Sequence, residues 1–133
     1  MAGPLVVDTS ALMAILLEEP DALRFAQALH DANGLRMSAP SWLEAAQVAT
    51  GRRGVQGYAQ FDALARGLAI EIVPCDEAMA RTAYEAWLSF GKGRHPAALN
   101  FGDCFSYALA KLRGEPLLFK GDDFSKTDLV AAI

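Results

Sequence analysis

With 133 residues, 53% of them apolar and 21% charged, the chain has the size and composition of one soluble globular domain spanning residues 1–133. Two isolated cysteines, Cys75 and Cys104, argue against a disulfide framework or a zinc site and for a reducing compartment. No apolar run approaches the ~20 residues of a membrane span, and Asp8 would interrupt a signal-peptide core, so the expected location is the cytoplasm. The net charge of −4 argues against a general nucleic-acid coat, but it is unevenly spread: the last third, from Lys92, holds six Lys and Arg against five acids.

The first predicted element is a strand over Leu5-Val6-Val7, an apolar, β-branched run of the kind buried on both faces of a parallel sheet. It stops at Asp8, after which Thr9 or Ser10 is placed to cap a helix running to Leu17. Asp21 is a candidate cap for a second helix, closed by Asn33-Gly34, and Leu35 to Ser38 reads as the next strand. Pro40 and Ser41 then open a helix containing Glu44. The spacing Ser41-Trp42-Leu43-Glu44 fits a capping box, which competes with any chemical role for that acid.

Gly51-Arg52-Arg53-Gly54 reads as a solvated turn before another amphipathic helix, and Ala69 to Val73 as a third strand ended by Pro74. Asp76 caps a long helix whose expected buried stripe includes Tyr84 and Trp87, aromatic residues at helical spacing. A flexible basic loop, Gly91 to Pro96, carries Lys92, Arg94 and His95, a candidate contact for phosphates. Asn100 caps the most regular helix of the chain, with Asp103 in its first turn. Leu117-Leu118-Phe119 is a last short strand followed by Lys120-Gly121-Asp122-Asp123, and Thr127-Asp128 is a candidate cap for a final turn.

The alternation of strands and helices predicts an α/β fold with a mostly parallel central sheet of four to five short strands flanked by helices. Ligands of such sheets gather outside the carboxyl ends of the strands. Asp8, Asp122 and Asp123 fall at strand ends, and Glu44 and Asp103 near helix starts. Carboxylates crowded at one place repel one another unless cations are bound, and an oxygen-only ligand set favours Mg²⁺ or Mn²⁺ over zinc. Such ions support phosphodiester hydrolysis, and two of them would cancel the formal charge of −4. No nucleophilic Ser or Cys with an evident base, and no phosphate-cradling glycine motif, offers another chemistry.

Four segments in this order resemble the PIN-domain ribonucleases, and specifically the VapC-type toxins of toxin–antitoxin modules. They are Val7-Asp8-Thr9-Ser10-Ala11; the Glu44 helix; the loop Gly91 to Pro96 running into Asn100-Phe101-Gly102-Asp103-Cys104; and Leu117 to Phe124 with Thr127-Asp128. The resemblance covers almost the whole chain. It implies a PIN-like fold and a Mg²⁺-dependent endoribonuclease, with Mn²⁺ as a substitute, that cuts structured RNA such as tRNA or ribosomal RNA. It also implies that Asp8, Glu44 and Asp103 form the acidic site, with Asp8 and Asp103 as metal ligands and Asp123, in preference to Asp122, as the fourth acid. Thr9, Ser10 and Asn100 would support these acids through hydrogen bonds. The implied partners are a VapB-like antitoxin and a second copy of the chain, as a homodimer or within a larger assembly. Two rival classes are a haloacid-dehalogenase-type phosphatase, disfavoured by Ser10 where a second Asp is needed, and a non-catalytic binding module of the same fold; a receiver domain is disfavoured by the lack of paired acids after the first strand.

Overall fold

A computed structural model of the chain describes residues 3–133, so the first two residues of the expected 1–133 domain lie outside the described residues. Its centre is a four-stranded sheet in the order β3-β2-β1-β4. The strands are β1 (Leu5–Val7), β2 (Leu35–Ser38), β3 (Glu71–Val73) and β4 (Leu117–Leu118). Every pairing is parallel. β1 therefore lies inside the sheet, and the chain order reverses between β1 and β4, the place where open α/β sheets bind ligands.

The apolar run predicted as a doubly buried strand behaves as one. Val6 and Val7 are both fully buried, on opposite faces. Val7 packs with Leu12, Phe25, Met37 and Phe61, beneath α1 (Thr9–Leu16), α2 (Ala22–Asp31) and α3 (Ala39–Gly67). Val6 packs with Met79, Leu99, Leu109 and Leu117, beneath α4 (Glu77–Phe90) and α5 (Phe101–Arg113). Burial of each such valine contributes roughly 1.5–3 kcal/mol, so the strand that carries Asp8 is anchored from both layers. The last residues run beside β4 in the same direction: Leu117 N–H donates to the Val130 carbonyl and Ala132 N–H to the Leu117 carbonyl, each at 2.9 Å.

Three expectations require correction. First, α3 is capped by Ser38, whose hydroxyl accepts from Ser41 N–H at 3.1 Å, and not by Ser41. Pro40 is the reason: it lacks an N–H and its fixed φ suits the first helical turn, so the cap lies before it. Glu44 is consequently in the second turn and outside any capping box. Second, α1 is capped by Asp8, whose carboxylate accepts from Ser10 N–H, and not by Thr9 or Ser10; the Gly51–Gly54 turn, by contrast, is present, with Arg53 and Gly54 out of helical geometry (Gly54 at φ +66°) where α3 divides into two helical halves. Third, α4 buries Met79, Ala83 and Ala86, while Tyr84 and Trp87 are 58% and 40% exposed. The helical spacing holds, but the buried stripe is rotated towards the small residues that allow α4 close to α5.

Candidate active site

β1 ends at Asp8, which is 4% exposed and caps α1. Its Oδ2 accepts from Ser10 N–H at 3.0 Å and from Ser10 Oγ at 2.6 Å. Its Oδ1 accepts from Ser106 Oγ at 2.5 Å. Ser10 Oγ accepts in turn from the Lys120 backbone N–H at 2.9 Å, just beyond β4. The same lysine's Nζ is occupied by Glu19 and Asp21, at 3.1 and 3.0 Å. Asp8 thus caps α1 while its carboxylate also faces groups from α5.

Asp103 is held by a full capping box at the start of α5. Asn100 Oδ1 accepts from Asp103 N–H at 2.9 Å, and Asp103 Oδ2 accepts from Asn100 N–H at 3.0 Å. Burial nevertheless pushes the Asp103 carboxyl up to about 6; the Asn100 amide opposes that rise, and the negative charges of Asp8, Glu44 and Asp123 add to it. Burial likewise raises Glu44, against the nearby Thr9 hydroxyl and with a further contribution from Asp8. Every charged group acting on Asp103 is an acid. The α5 backbone also lies against Glu44 so closely that a Cβ on Gly102 would collide with the Glu44 carboxylate.

The structure therefore brings Asp8, Glu44, Asp103 and Asp123 into one negative field at the carboxyl ends of β1 and β4. Asp122 and Asp123 are both exposed, and of the two only Asp123 is among the charges acting on Asp103. Ser10 and Asn100 bond directly to the two central acids, and Thr9 Oγ1 donates to the Ser41 carbonyl at 3.0 Å beside Glu44. Among the described residues no group of three or more acids, histidines or cysteines is arranged to hold a metal ion. Asp103 Oδ1, the Glu44 carboxylate and one lone pair of Asp8 Oδ1 remain as oxygen donors, a set that suits a hard divalent cation.

The basic loop leads through residues 97–99 into Asn100, and Lys92 and Asn100 line one cleft. Lys92 is exposed, while the Arg94 guanidinium stacks 4.8 Å from the Trp87 ring centroid. His95 is turned inward: Nδ1 accepts from Ala97 N–H at 3.0 Å and the ring meets Phe90 edge-on. Its imidazole shapes the loop instead of adding to its basic surface. Next to the loop, Tyr84, Trp87, Lys92, Phe101, Cys104 and Phe105 line an apolar cleft of about 590 Å³.

Sequence reasoning missed Ser106, which is 1% exposed and bonds to the central acid. The available signal was its position one helical turn after Asp103, on the same face of the helix.

Comparison with known proteins places this architecture. The PIN domain family model matches residues 5–130, and the chain belongs to that family. Within it the chain is of the VapC type. It is 47% identical over 125 residues to Ribonuclease VapC30 of Mycobacterium tuberculosis, covering 94% of this chain and 95% of the relative. It is also 47% identical over 127 residues to Ribonuclease VapC of Mycolicibacterium smegmatis, covering 96% and 98%. Among solved structures, M. tuberculosis VapC20, described as a sarcin–ricin loop cleaving toxin, superposes with a TM-score of 0.78 at 18% identity, over 95% of this chain and 96% of the other. The VapBC2 complex of Rickettsia felis, bound to a promoter DNA fragment, superposes at 0.74 and 11% identity, over 96% of each chain. At those identities the superpositions establish a shared fold.

Proposed function

We propose that the chain is the toxin of a toxin–antitoxin pair, a divalent-metal-dependent endoribonuclease that uses Mg²⁺, with Mn²⁺ as a substitute, to cut a structured RNA such as tRNA or ribosomal RNA. The observation that carries this is the concentration of Asp8, Glu44, Asp103 and Asp123 at the carboxyl ends of the paired strands β1 and β4, with Asp103 raised to about 6 by burial and by like charge. Kinship to the VapC ribonucleases at 47% identity supports the choice of RNA over other phosphodiesters.

Asp8 and Asp103 are the ligands best placed to hold the cation, with Glu44 and Asp123 completing the negative pocket. A bound Mg²⁺ would supply Lewis acidity and a lowered pKa for attacking water. The chain's own groups do the rest. Ser10 and Ser106 fix the Asp8 carboxylate, the Asn100 amide fixes Asp103, and Thr9 steadies the side of Glu44. Lys92 and Arg94 receive backbone phosphates beside the acids, on a loop kept in shape by His95. A VapB-like antitoxin is the cognate inhibitor, and the toxin acts as a homodimer in the cytoplasm.

The test is cleavage of total tRNA and ribosomal RNA by the purified, antitoxin-free protein, with Mg²⁺, with Mn²⁺ and with chelator, beside Asp8→Asn. Discrete cuts that vanish with chelator and in the folded variant are expected. Cutting that survives either change would refute the assignment.

A further inference from the structure

Behind the acids lies a row of buried hydroxyls, of which the chemistry above uses only the last, Ser106. Ser38, Ser41 and Ser106 are each at most 1% exposed. Their oxygens are spaced 2.7 Å from Ser38 to Ser41 and 3.1 Å from Ser41 to Ser106, and Ser106 lies 2.5 Å from Asp8 Oδ1. A serine hydroxyl has a single proton to donate. Ser106 must give its proton to the carboxylate, which has none, so Ser41 must donate to Ser106. Ser41 then has nothing left for Ser38, and Ser38 must donate to Ser41. Ser38 Oγ itself accepts from Ser41 N–H at 3.1 Å. The row is therefore a one-way chain that begins at a backbone amide in the first turn of α3 and ends on Asp8. Aligned hydrogen bonds of this kind polarise and strengthen one another.

The opposite oxygen has a matching supply: Lys120 N–H donates to Ser10 Oγ, which donates to Oδ2, while Ser10 N–H fills that atom's second lone pair. A carboxylate oxygen accepts at about two sites. Oδ2 is saturated, and Oδ1 has one acceptor site left. That atom is the one Ser106 holds.

We infer that Ser106 is a positioning residue for cation binding: as the last link of the Ser38–Ser41–Ser106 chain it fixes Asp8 Oδ1, the only oxygen of that carboxylate with capacity left for a metal. This role rests on the assignment of Asp8 as a metal ligand. It brings the start of α3, the middle of α5 and the end of β1 to bear on one atom.

The test is Mn²⁺ titration of the full-length protein, followed by the loss of the free-ion electron paramagnetic resonance signal, for wild type, Ser106→Ala, Ser106→Thr, Ser41→Ala and Asp8→Asn. Ala is the better helix former, so the Ser106→Ala variant keeps α5. Loss of such a supporting hydrogen bond costs roughly 10- to 100-fold in metal affinity, and that weakening is expected for Ser106→Ala. Ser106→Thr, which keeps the hydroxyl, should recover most of it, and KM for RNA at saturating metal should not change. Wild-type Mn²⁺ affinity in Ser106→Ala, with binding lost in Asp8→Asn, would overturn the inference and leave the metal site standing. Wild-type affinity in Asp8→Asn would overturn the metal assignment itself. Should Ser106→Ala melt too low to titrate, Ser41→Ala breaks the same chain one link earlier, and unchanged affinity there would equally overturn the inference.

Discussion

Replacing Asp103 by Asn should abolish cleavage and yet make the metal-free protein more stable at neutral pH. The rise of the Asp103 carboxyl from 3.8 to about 6 corresponds to about 3 kcal/mol, at roughly 1.4 kcal/mol per pH unit. Solvent screening at this half-buried position reduces that to roughly 1.5–2 kcal/mol. Asn keeps an oxygen that accepts from the Asn100 amide, so the capping box survives. It forfeits the favourable charge at the start of α5, worth about 0.5 kcal/mol. The balance is a gain of about 1 kcal/mol, or about 4 °C in Tm for a chain of this length.

The pH dependence follows from linkage. The folded protein binds the Asp103 proton more tightly than the unfolded chain does, so the penalty is fully present above about pH 6. It falls away as pH drops through the folded value and is gone below the unfolded one. The Asn variant should therefore melt higher than wild type at pH 7.5 and level with it, or slightly below, near pH 4. Added Mg²⁺ should raise the wild-type Tm, because a ligand that binds only the folded state stabilises it, and should leave the variant unmoved. Differential scanning calorimetry across this range is the assay. A variant less stable than wild type at pH 7.5, or a difference independent of pH, would refute the idea that uncompensated carboxylates strain this pocket.

Three further outcomes are expected. Gly102→Ala forces the Glu44 side chain aside; steady-state cleavage should fall roughly 100-fold, the usual consequence of ångström-scale misplacement, with no loss of Tm because Ala favours the helix. Asp123→Asn should weaken Mg²⁺-dependent cleavage, whereas Asp122→Asn should behave as wild type, since Asp123 alone of the two acts on Asp103; equal effects in a Mg²⁺ titration would contradict the choice. Removing the charges of Lys92 and Arg94 together should raise KM and lower the slope of log affinity against log salt by about 0.7 for each lost phosphate contact; an unchanged slope would remove the loop from the substrate path.

The sequence pattern revealed much of this architecture, and its failures have physical causes. The doubly buried strand was legible because Val6 and Val7 admit no exposed face, and Asp8 stood out as the acid that ends it. The start of α3 was not, because Ser38 and Ser41 both offer competent caps and only the placement of Pro40 decides between them. Tyr84 and Trp87 sit at helical spacing, but spacing does not say which stripe another helix will cover; α5 approaches the alanines instead. Ser106 carried only the signal of its place one turn after Asp103, because a single serine acquires meaning only when Asp8, 98 positions away in the chain, is folded against it.

The most direct test of the central claim is crystallographic: soak the antitoxin-free protein with Mn²⁺ and locate the metal from its anomalous signal. The account predicts a peak ligated by Asp8 Oδ1 and Asp103 Oδ1, with Glu44 and Asp123 facing it and Ser106 still bonded to Asp8. A peak bound elsewhere, with these four carboxylates unliganded at saturating Mn²⁺, would contradict it.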